Sequence, residues 1–187
     1  MIRLTGGLFR GRVIHTPANA DTRPTQARLR QALFNSLQAH TESAKVLDLF
    51  AGSGALGFEA LSRGAKEVVF VEKSRTASAL IQKNAQLLKV TEQVHIITGS
   101  VETALEKLKH FGPFDLVFAD PPYEDGWEIK LLNQWPWDAL LSDEGFLCLE
   151  WGSLKSQVSE LPADVNSLEK IREKQYGDSV LTTYSKR

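Results

Sequence analysis

The sequence predicts one α/β domain with a mostly parallel sheet, and three observations support that prediction. Short apolar runs alternate with helical segments from Lys45 onward, as in a parallel sheet covered on both faces. A glycine-rich turn follows the first of these runs and opens a helix. The last two runs are joined by the tight turn at residues 176–179, so the chain should end in an antiparallel hairpin.

Residues 1–20 are predicted to form a small β-hairpin extension ahead of the main domain, residues 21–187. Gly6-Gly7 is the expected turn, and the strand candidates are the apolar residues Ile2, Leu4, Leu8, Val13 and Ile14. A helix should follow, because Pro24 suits a first helical turn. Leu29, Leu33 and Leu37 recur every four residues and form its buried stripe.

The rest of the chain is predicted to contain seven strands and four further helices. The strands are at 46–50, 67–72, 94–98, 114–119, 145–151, 170–176 and 179–184. One helix follows the glycine-rich turn and ends at about residue 63, and the others are at 74–88, 102–109 and about 127–141, with a weak helical stretch after the fifth strand. A ligand should lie at the carboxyl ends of the parallel strands, where the strand order reverses.

Composition narrows the class of protein. The 187 residues are 42% hydrophobic and 24% charged, close to a soluble globular protein. Cys148 is the one cysteine, so no internal disulfide forms, which fits a reducing compartment. Neither a signal peptide nor an apolar run of membrane-spanning length is visible, and the scattered histidines predict no metal site. We therefore expect a cytoplasmic protein with no membrane association.

Charge is unevenly distributed along the chain. Residues 1–40 contain six arginines and one acid, Asp21, a balance of 6 − 1 = +5, so the remainder carries −1 − 5 = −6. The arginines are Arg3, Arg10, Arg12, Arg23, Arg28 and Arg30. Arginine contacts phosphate in a bidentate manner and stacks on bases. Composition alone leaves two interpretations open, a nucleic-acid surface and an ordinary solvated face.

Residues 47–57 carry the densest motif. Gly52, Gly54 and Gly57 fit G-x-G-x-x-G directly after a strand, and Glu72 ends the next strand, 20 residues beyond Gly52. Such a turn binds a cofactor with an adenosine part, the acid accepting ribose hydroxyls. The predicted cofactor-binding residues at this turn are Phe50, Ala51, Gly52, Ser53 and Gly54, with Glu72 and Lys73 on the next strand.

Asp48 favours S-adenosylmethionine over NAD as that cofactor. A carboxylate just before the loop would repel a pyrophosphate but would attract a sulfonium and an α-ammonium. Asp48 could instead simply brace the loop, and Glu72 could be a solvated strand end. Ser100 and Val101 follow the third strand, where the adenine ring is expected.

Asp120-Pro-Pro-Tyr123 follows the fourth strand and predicts the chemistry. The prolines fix an extended backbone, so the Pro121 carbonyl and the Asp120 carboxylate can together accept both hydrogens of an NH₂ group. Asp120 would stabilise the positive charge that grows on nitrogen during methylation. Pro122 completes the rigid turn, and Tyr123 offers a face on which a flipped base stacks.

These motifs resemble the bacterial RsmD family, methyltransferases of guanine N2 in 16S ribosomal RNA. The resemblance covers nearly the whole chain, through residues 7–12, 22–35, 47–57, 59–65 and 120–123. It implies a class I S-adenosylmethionine-dependent methyltransferase fold, which is Rossmann-like with a mostly parallel seven-stranded sheet. It also implies a monomer acting on the assembling small ribosomal subunit.

The resemblance further assigns residues outside the glycine turn. Arg23 and Thr25 are expected near the methionine end of the cofactor. Ser100 stands where the family usually has an acid. The residues expected to contact RNA are Arg3, Arg10, Arg12, Arg28 and Arg30.

Three alternatives stay open at this point. The tetrapeptide does not name the base, so an adenine-N6 methyltransferase acting on DNA or RNA is the second hypothesis. The glycine motif also suits an NAD-binding oxidoreductase or regulator, and a catalytically inactive RNA-binding module is the last alternative.

Overall fold

The structure, a computed structural model, describes residues 1–17, 24–122, 125–152 and 159–187, with residues 24 and 25 described by backbone only. Its centre is an eight-stranded sheet in the order β5-β4-β3-β6-β7-β10-β9-β8. The strands are β3 (Lys45–Leu49), β4 (Glu67–Glu72), β5 (Val94–Thr98), β6 (Phe114–Ala119), β7 (Leu141–Gly152), β8 (Asp164–Val165), β9 (Leu168–Tyr176) and β10 (Ser179–Lys186).

Strands β3 to β7 are parallel to one another, and β10 pairs antiparallel with both β7 and β9. The expected mostly parallel sheet with a closing antiparallel hairpin is therefore confirmed. The two-residue strand β8 adds an eighth member beside β9, too short to stand out as a run of strand-forming residues.

Helices cover both faces of the sheet. They are α1 (Pro24–Ser36), α2 (Gln38–Thr41), α3 (Ala55–Ser62), α4 (Arg75–Leu88), α5 (Val101–Phe111), α6 (Trp127–Gln134) and α7 (Trp137–Leu140). One core lies under α1, α3 and α4, where Leu33, Phe58 and Ile81 are fully or almost fully buried. A second core lies under α5, α6 and α7 on the opposite face. Because the sheet is buried on both sides, its strands are continuous apolar runs.

The single helix expected at 127–141 is wrong, because it is divided into α6 and α7. Trp135 has extended backbone with ψ of 142°, the conformation that a following proline imposes. Pro136 therefore ends α6. Trp137 then lies against α6, and its indole N–H donates to the Leu131 carbonyl at 2.7 Å.

The N-terminal segment forms a small two-stranded sheet of β1 (Ile2–Arg3) and β2 (Val13–Ile14). Gly6-Gly7 does not make a tight hairpin turn between these strands; it packs against the end of α3. Gly7 has φ of +71°, and a Cβ there would lie 1.7 Å from the Ser62 carbonyl oxygen. Only glycine fits this approach, so the glycine pair serves docking on the main domain.

Across the described ranges, none of the helices is both long enough and apolar enough to span a membrane.

Candidate active site

Three residues stand side by side on neighbouring parallel strands; two of them directly follow a strand end, and the third lies two residues before the end of β7. Leu49 pairs with Ala119 and Ala119 pairs with Leu149, so the next residues, Phe50, Asp120 and Glu150, fall in one row at the carboxyl edge. The strand order reverses between β3 and β6. This is the position where open α/β sheets bind their ligands.

The glycine loop between β3 and α3 has the backbone that its sequence predicts. Gly52 and Gly54 have φ of +54° and +77°, which glycine adopts at no steric cost. A Cβ on Gly57 would lie 2.3 Å from the Phe70 ring, whereas a Cβ on Gly52 would meet nothing within 4 Å. Gly57 thus permits close helix–strand packing, and Gly52 leaves the backbone open to a ligand.

Glu72 fixes the same loop from the neighbouring strand. Its two carboxylate oxygens accept the backbone N–H groups of Gly52 and Ser74, each at 2.7 Å. Each oxygen keeps a further lone pair for a hydroxyl donor. The carboxylate is thereby held rigidly at the cavity wall, which suits the recognition of ribose hydroxyls.

Asp48 is buried below the loop, 2% exposed. Its carboxylate accepts the Gly57 N–H at 2.9 Å, so it braces the start of α3. Burial raises the pKa of Asp48 to about 8, the Gly57 N–H acts in the opposite direction, and the charge of Glu72 adds to the rise. A cation brought beside Asp48 would lower that pKa and favour the carboxylate.

A cleft of about 510 Å³ opens between the ends of β3, β4, β5 and β6. The predicted residues Phe50, Glu72, Lys73, Ser100, Val101, Asp120 and Pro122 line it. Ser100 caps α5, its hydroxyl oxygen accepting the Thr103 N–H at 3.3 Å. Phe50 meets Trp127 edge-on with ring centroids 5.1 Å apart, which forms an aromatic wall.

A second cavity of about 200 Å³ lies on the α1 side of the sheet edge. Asp48, Ala51, Gly52 and Ser53 line its loop end, and Glu150 lines it as well. Phe50 and Asp120 border both cavities. Gly54 follows these loop residues and is the N-cap of α3, with a left-handed backbone conformation.

The Asp-Pro-Pro-Tyr turn is described over its first three residues. Asp120 and Pro122 are exposed at the cleft and Pro121 is buried, the alternation expected of a rigid extended strand end. Tyr123 lies outside the described residues. So does Arg23, and for Thr25 the side chain lies outside them as well.

The N-terminal arginines divide into exposed and buried groups. Arg3, Arg10, Arg12 and Arg28 are exposed. Arg3 and Arg12 donate to the carbonyl oxygens of Gly11 and Leu87, at 2.6 and 2.7 Å. These contacts stiffen the loop that presents the guanidinium groups.

The surface position expected for Arg30 is wrong. Arg30 is 5% exposed; it pairs with Glu59 at 3.4 Å and donates to the Arg3 carbonyl at 3.0 Å. Because α1 turns this residue toward α3, its charge faces a buried carboxylate. Its role is to join the N-terminal segment to the domain.

Sequence reasoning missed Glu59, Trp127 and Glu150. Glu59 is fully buried and accepts from Thr5, Arg30 and Arg63. A glutamate within an apolar helix was the available signal for it. The strand that contains Glu150 was predicted, but the residue's place beside Asp120 depends on strand order, which no local pattern shows.

The fold and this site together define a class I methyltransferase. The family model described as Conserved hypothetical protein 95 matches residues 2–185, so the chain belongs to that family. It is 34% identical to Ribosomal RNA small subunit methyltransferase D of Escherichia coli, over 87% of this chain and 80% of that protein.

Further similarities agree with that assignment. The chain is 42% identical to the protein of the same name from Haemophilus influenzae, over 65% and 64% of the two chains. The solved structure of the Escherichia coli protein yhhF matches with a TM-score of 0.83 at 33% identity, over 99% of this chain and 97% of the other. These findings confirm the expected RsmD family.

The cofactor of this class is S-adenosylmethionine, and a solved chain of the same fold was determined with its product SAH. The present residues fit such a ligand. Gly52 leaves open space at the loop, Glu72 offers oriented acceptors, and a buried acid rather than a phosphate-binding group lies beneath.

Proposed function

We propose that this chain transfers a methyl group to the exocyclic N2 amine of a guanine in 16S rRNA while the small ribosomal subunit assembles. The observation that carries the proposal is that Asp120 borders both cavities. An acceptor shared by the two cavities can hold an amine beside the methyl group of a donor that extends from the larger cleft to the glycine loop. The relatives named Ribosomal RNA small subunit methyltransferase D support the class of substrate.

The larger cleft is proposed to take the adenosine part of the cofactor. Glu72 would accept the ribose hydroxyls with Lys73 beside it, and main-chain groups at Ser100 and Val101 would meet the adenine, because the Ser100 hydroxyl oxygen already caps α5. S-adenosylmethionine supplies the methyl group as an electrophilic sulfonium.

The methionine part is proposed to lie along the glycine loop. Phe50, Ala51, Gly52, Ser53 and Gly54 would cradle it, with Asp48 as the nearest buried acid. Arg23 and Thr25 remain proposed partners of its carboxylate. A cation at this position would complete the charge recognition.

Asp120 and the Pro121 carbonyl are proposed to accept the two hydrogens of the amine. Held in this way, the nitrogen pyramidalises and turns its lone pair toward the methyl group. Asp120 also stabilises the positive charge that develops on nitrogen, and alignment supplies much of the remaining acceleration. Pro122 keeps the turn rigid, and Tyr123 would stack on the flipped base, a contact worth about 1–3 kcal/mol.

The N-terminal extension, residues 1–20, is proposed to hold RNA beside the catalytic domain, residues 21–187, in a monomeric enzyme. Arg3, Arg10, Arg12 and Arg28 would contact phosphates, since all four are exposed. These proposed phosphate contacts do not involve the residues proposed to carry out methyl transfer.

Nucleoside mass mapping of rRNA tests the proposal. Cells that carry the gene should contain one N2-methylguanine in 16S rRNA that is absent from cells whose only copy is Asp120→Ala. The variant keeps the protein present, so a lost methyl group reports chemistry and not assembly. A missing N6-methyladenine with all guanines unchanged would overturn the guanine assignment.

A further inference from the structure

Glu150 is a carboxylate at the reaction site that methyl transfer as described does not use. It is 3% exposed, ends the row that begins with Phe50 and Asp120, and lines the second cavity. Side chains in one row of adjacent strands share a face of the sheet. Glu150 and Asp120 therefore border the same space.

The carboxylate of Glu150 is also oriented. Gln26 of α1 donates its side-chain amide to one Glu150 oxygen at 3.3 Å, so a helix from the opposite wall sets the direction of the group. A buried carboxylate is costly unless N–H or O–H donors meet it. A ligand group that lies against Glu150 must be an N–H or O–H donor, because an acceptor there would set two lone pairs against each other in a buried space.

Strand order gives the position of that donor. Asp120 follows β6, the neighbour of β3, and Glu150 lies on β7, one strand farther from the glycine loop. Neighbouring strands are about 4.8 Å apart. The ligand must thus present two donors on one edge, with the reacting donor nearer the glycine loop.

We propose that Glu150 selects guanine by accepting its N1–H while Asp120 accepts from the N2 amine, an inference that rests on the proposed function. Guanine carries a ring N–H directly beside its exocyclic amine. Adenine carries an unprotonated ring nitrogen beside its amine, and that lone pair would face the Glu150 carboxylate. Glu150 thus admits guanine and rejects adenine, which the Asp-Pro-Pro-Tyr turn alone does not do.

A base analogue tests this inference. 2-Aminopurine keeps the 2-amine and lacks the N1 hydrogen, so small subunits are reconstituted with 16S rRNA that carries guanine or 2-aminopurine at the mapped target. Wild-type enzyme should prefer guanine in kcat/KM by about 100-fold or more, as buried groups reject an analogue that leaves them unpaired. Glu150→Gln, whose amide presents either an oxygen or an NH₂, should lower that preference at least tenfold.

The controls separate specificity from folding and from the proposed function. Glu144→Gln, an exposed acid on the same strand, should keep the wild-type preference, and SAH affinity should match in all variants. If Glu150→Gln does not fold, Gln26→Ala removes only the orienting amide and should lower the preference at least threefold. An unchanged preference in the folded variant overturns the role of Glu150, whereas failure of wild-type enzyme to methylate guanine overturns the proposed function.

Discussion

At the scale of single residues, Asp120 is the side chain on which turnover should depend most. Its carboxylate borders both cavities and lies outside the loop that Glu72 braces. Asp120→Ala should leave S-adenosylmethionine affinity within about threefold and lower kcat at least ~100-fold, the scale for losing a contact made to transition-state charge. Calorimetric titration and single-turnover methylation measure the two quantities separately.

Asp143→Ala is the matched control, because its side chain is 99% exposed and far along β7 from the strand end. It should behave as wild type in both assays. Equal kcat for Asp120→Ala and wild type would remove Asp120 from the chemistry.

Asp48 should make the ligand-free protein lose stability as pH rises. Its folded-state pKa is raised to about 8 from 3.8, chiefly by burial, so between those values the folded protein binds a proton that the unfolded chain has released. The stabilisation that this bound proton gives the folded protein is complete below about pH 4 and is lost as pH approaches 8. The free energy of unfolding should fall by up to about 1.4 kcal/mol per pH unit within that window.

Asp48→Asn removes the titration and keeps an oxygen for the Gly57 N–H. Urea unfolding of both proteins from pH 4 to 9 should therefore give a wild-type-minus-variant difference that declines with pH. Asp143→Asn should give a flat difference. Parallel curves for Asp48→Asn and wild type would show that Asp48 stays ionised in the folded protein.

At the scale of elements, Glu59 joins three parts of the fold. From within α3 it accepts the Thr5 N–H at 2.8 Å and pairs with Arg30 of α1 and with Arg63. Glu59→Gln removes the negative charge that these two arginines face. Losing one partner of a buried ion pair typically lowers the free energy of unfolding by about 3–5 kcal/mol. We expect that loss in urea unfolding, with faster tryptic cleavage after Arg10 and Arg12.

Glu106→Gln serves as its control, since Glu106 is 80% exposed in an i,i+3 pair with Lys109. Such pairs contribute at most about 1 kcal/mol, so neither stability nor cleavage should change measurably. Wild-type cleavage rates for Glu59→Gln would mean that the extension is held by its apolar contacts alone.

Element boundaries were predictable where one local rule governs them. The strand at 67–72 and the strand at 114–119 have the predicted limits, because an uninterrupted apolar run is itself the signal of a doubly covered strand. The glycine loop was likewise predictable, because the positive φ angles of Gly52 and Gly54 are ones that glycine adopts most readily. The residue type therefore indicates the conformation. The helix predicted at 127–141 extends too far, because Pro136 restricts Trp135 to an extended backbone and ends α6 there.

Long-range packing explains what the sequence left open. Arg30 belongs to an arginine-rich segment by composition, yet it is buried because α1 faces Glu59. Glu150 acquires its place only when β7 pairs beside β6. Both facts depend on which elements become neighbours, and no local periodicity carries that information.

At the scale of the whole molecule, charge is separated along the chain. The first 40 residues balance at +5 and the other 147 at −6, and one of the six N-terminal arginines, Arg30, is buried against Glu59 inside the fold. A phosphate backbone should therefore be attracted to the extension and to the exposed side of α1. Because the acidic remainder of the chain would repel the phosphates, RNA should dock in a single orientation.

Replacing both Arg10 and Arg12 by alanine should weaken RNA binding and flatten its dependence on salt. Each phosphate contact releases roughly one counterion, so the slope of log K against log salt should become shallower by about two. Filter binding of 16S rRNA fragments across a salt series measures this slope.

Lys107→Ala combined with Lys109→Ala removes two exposed charges from α5, on the opposite face of the sheet, and should leave the slope unchanged. If the arginine and lysine variants flatten the slope equally, binding follows net charge alone and the extension is not the docking surface; a loss confined to the arginine variant with intact SAH affinity assigns RNA capture to the N-terminal loop.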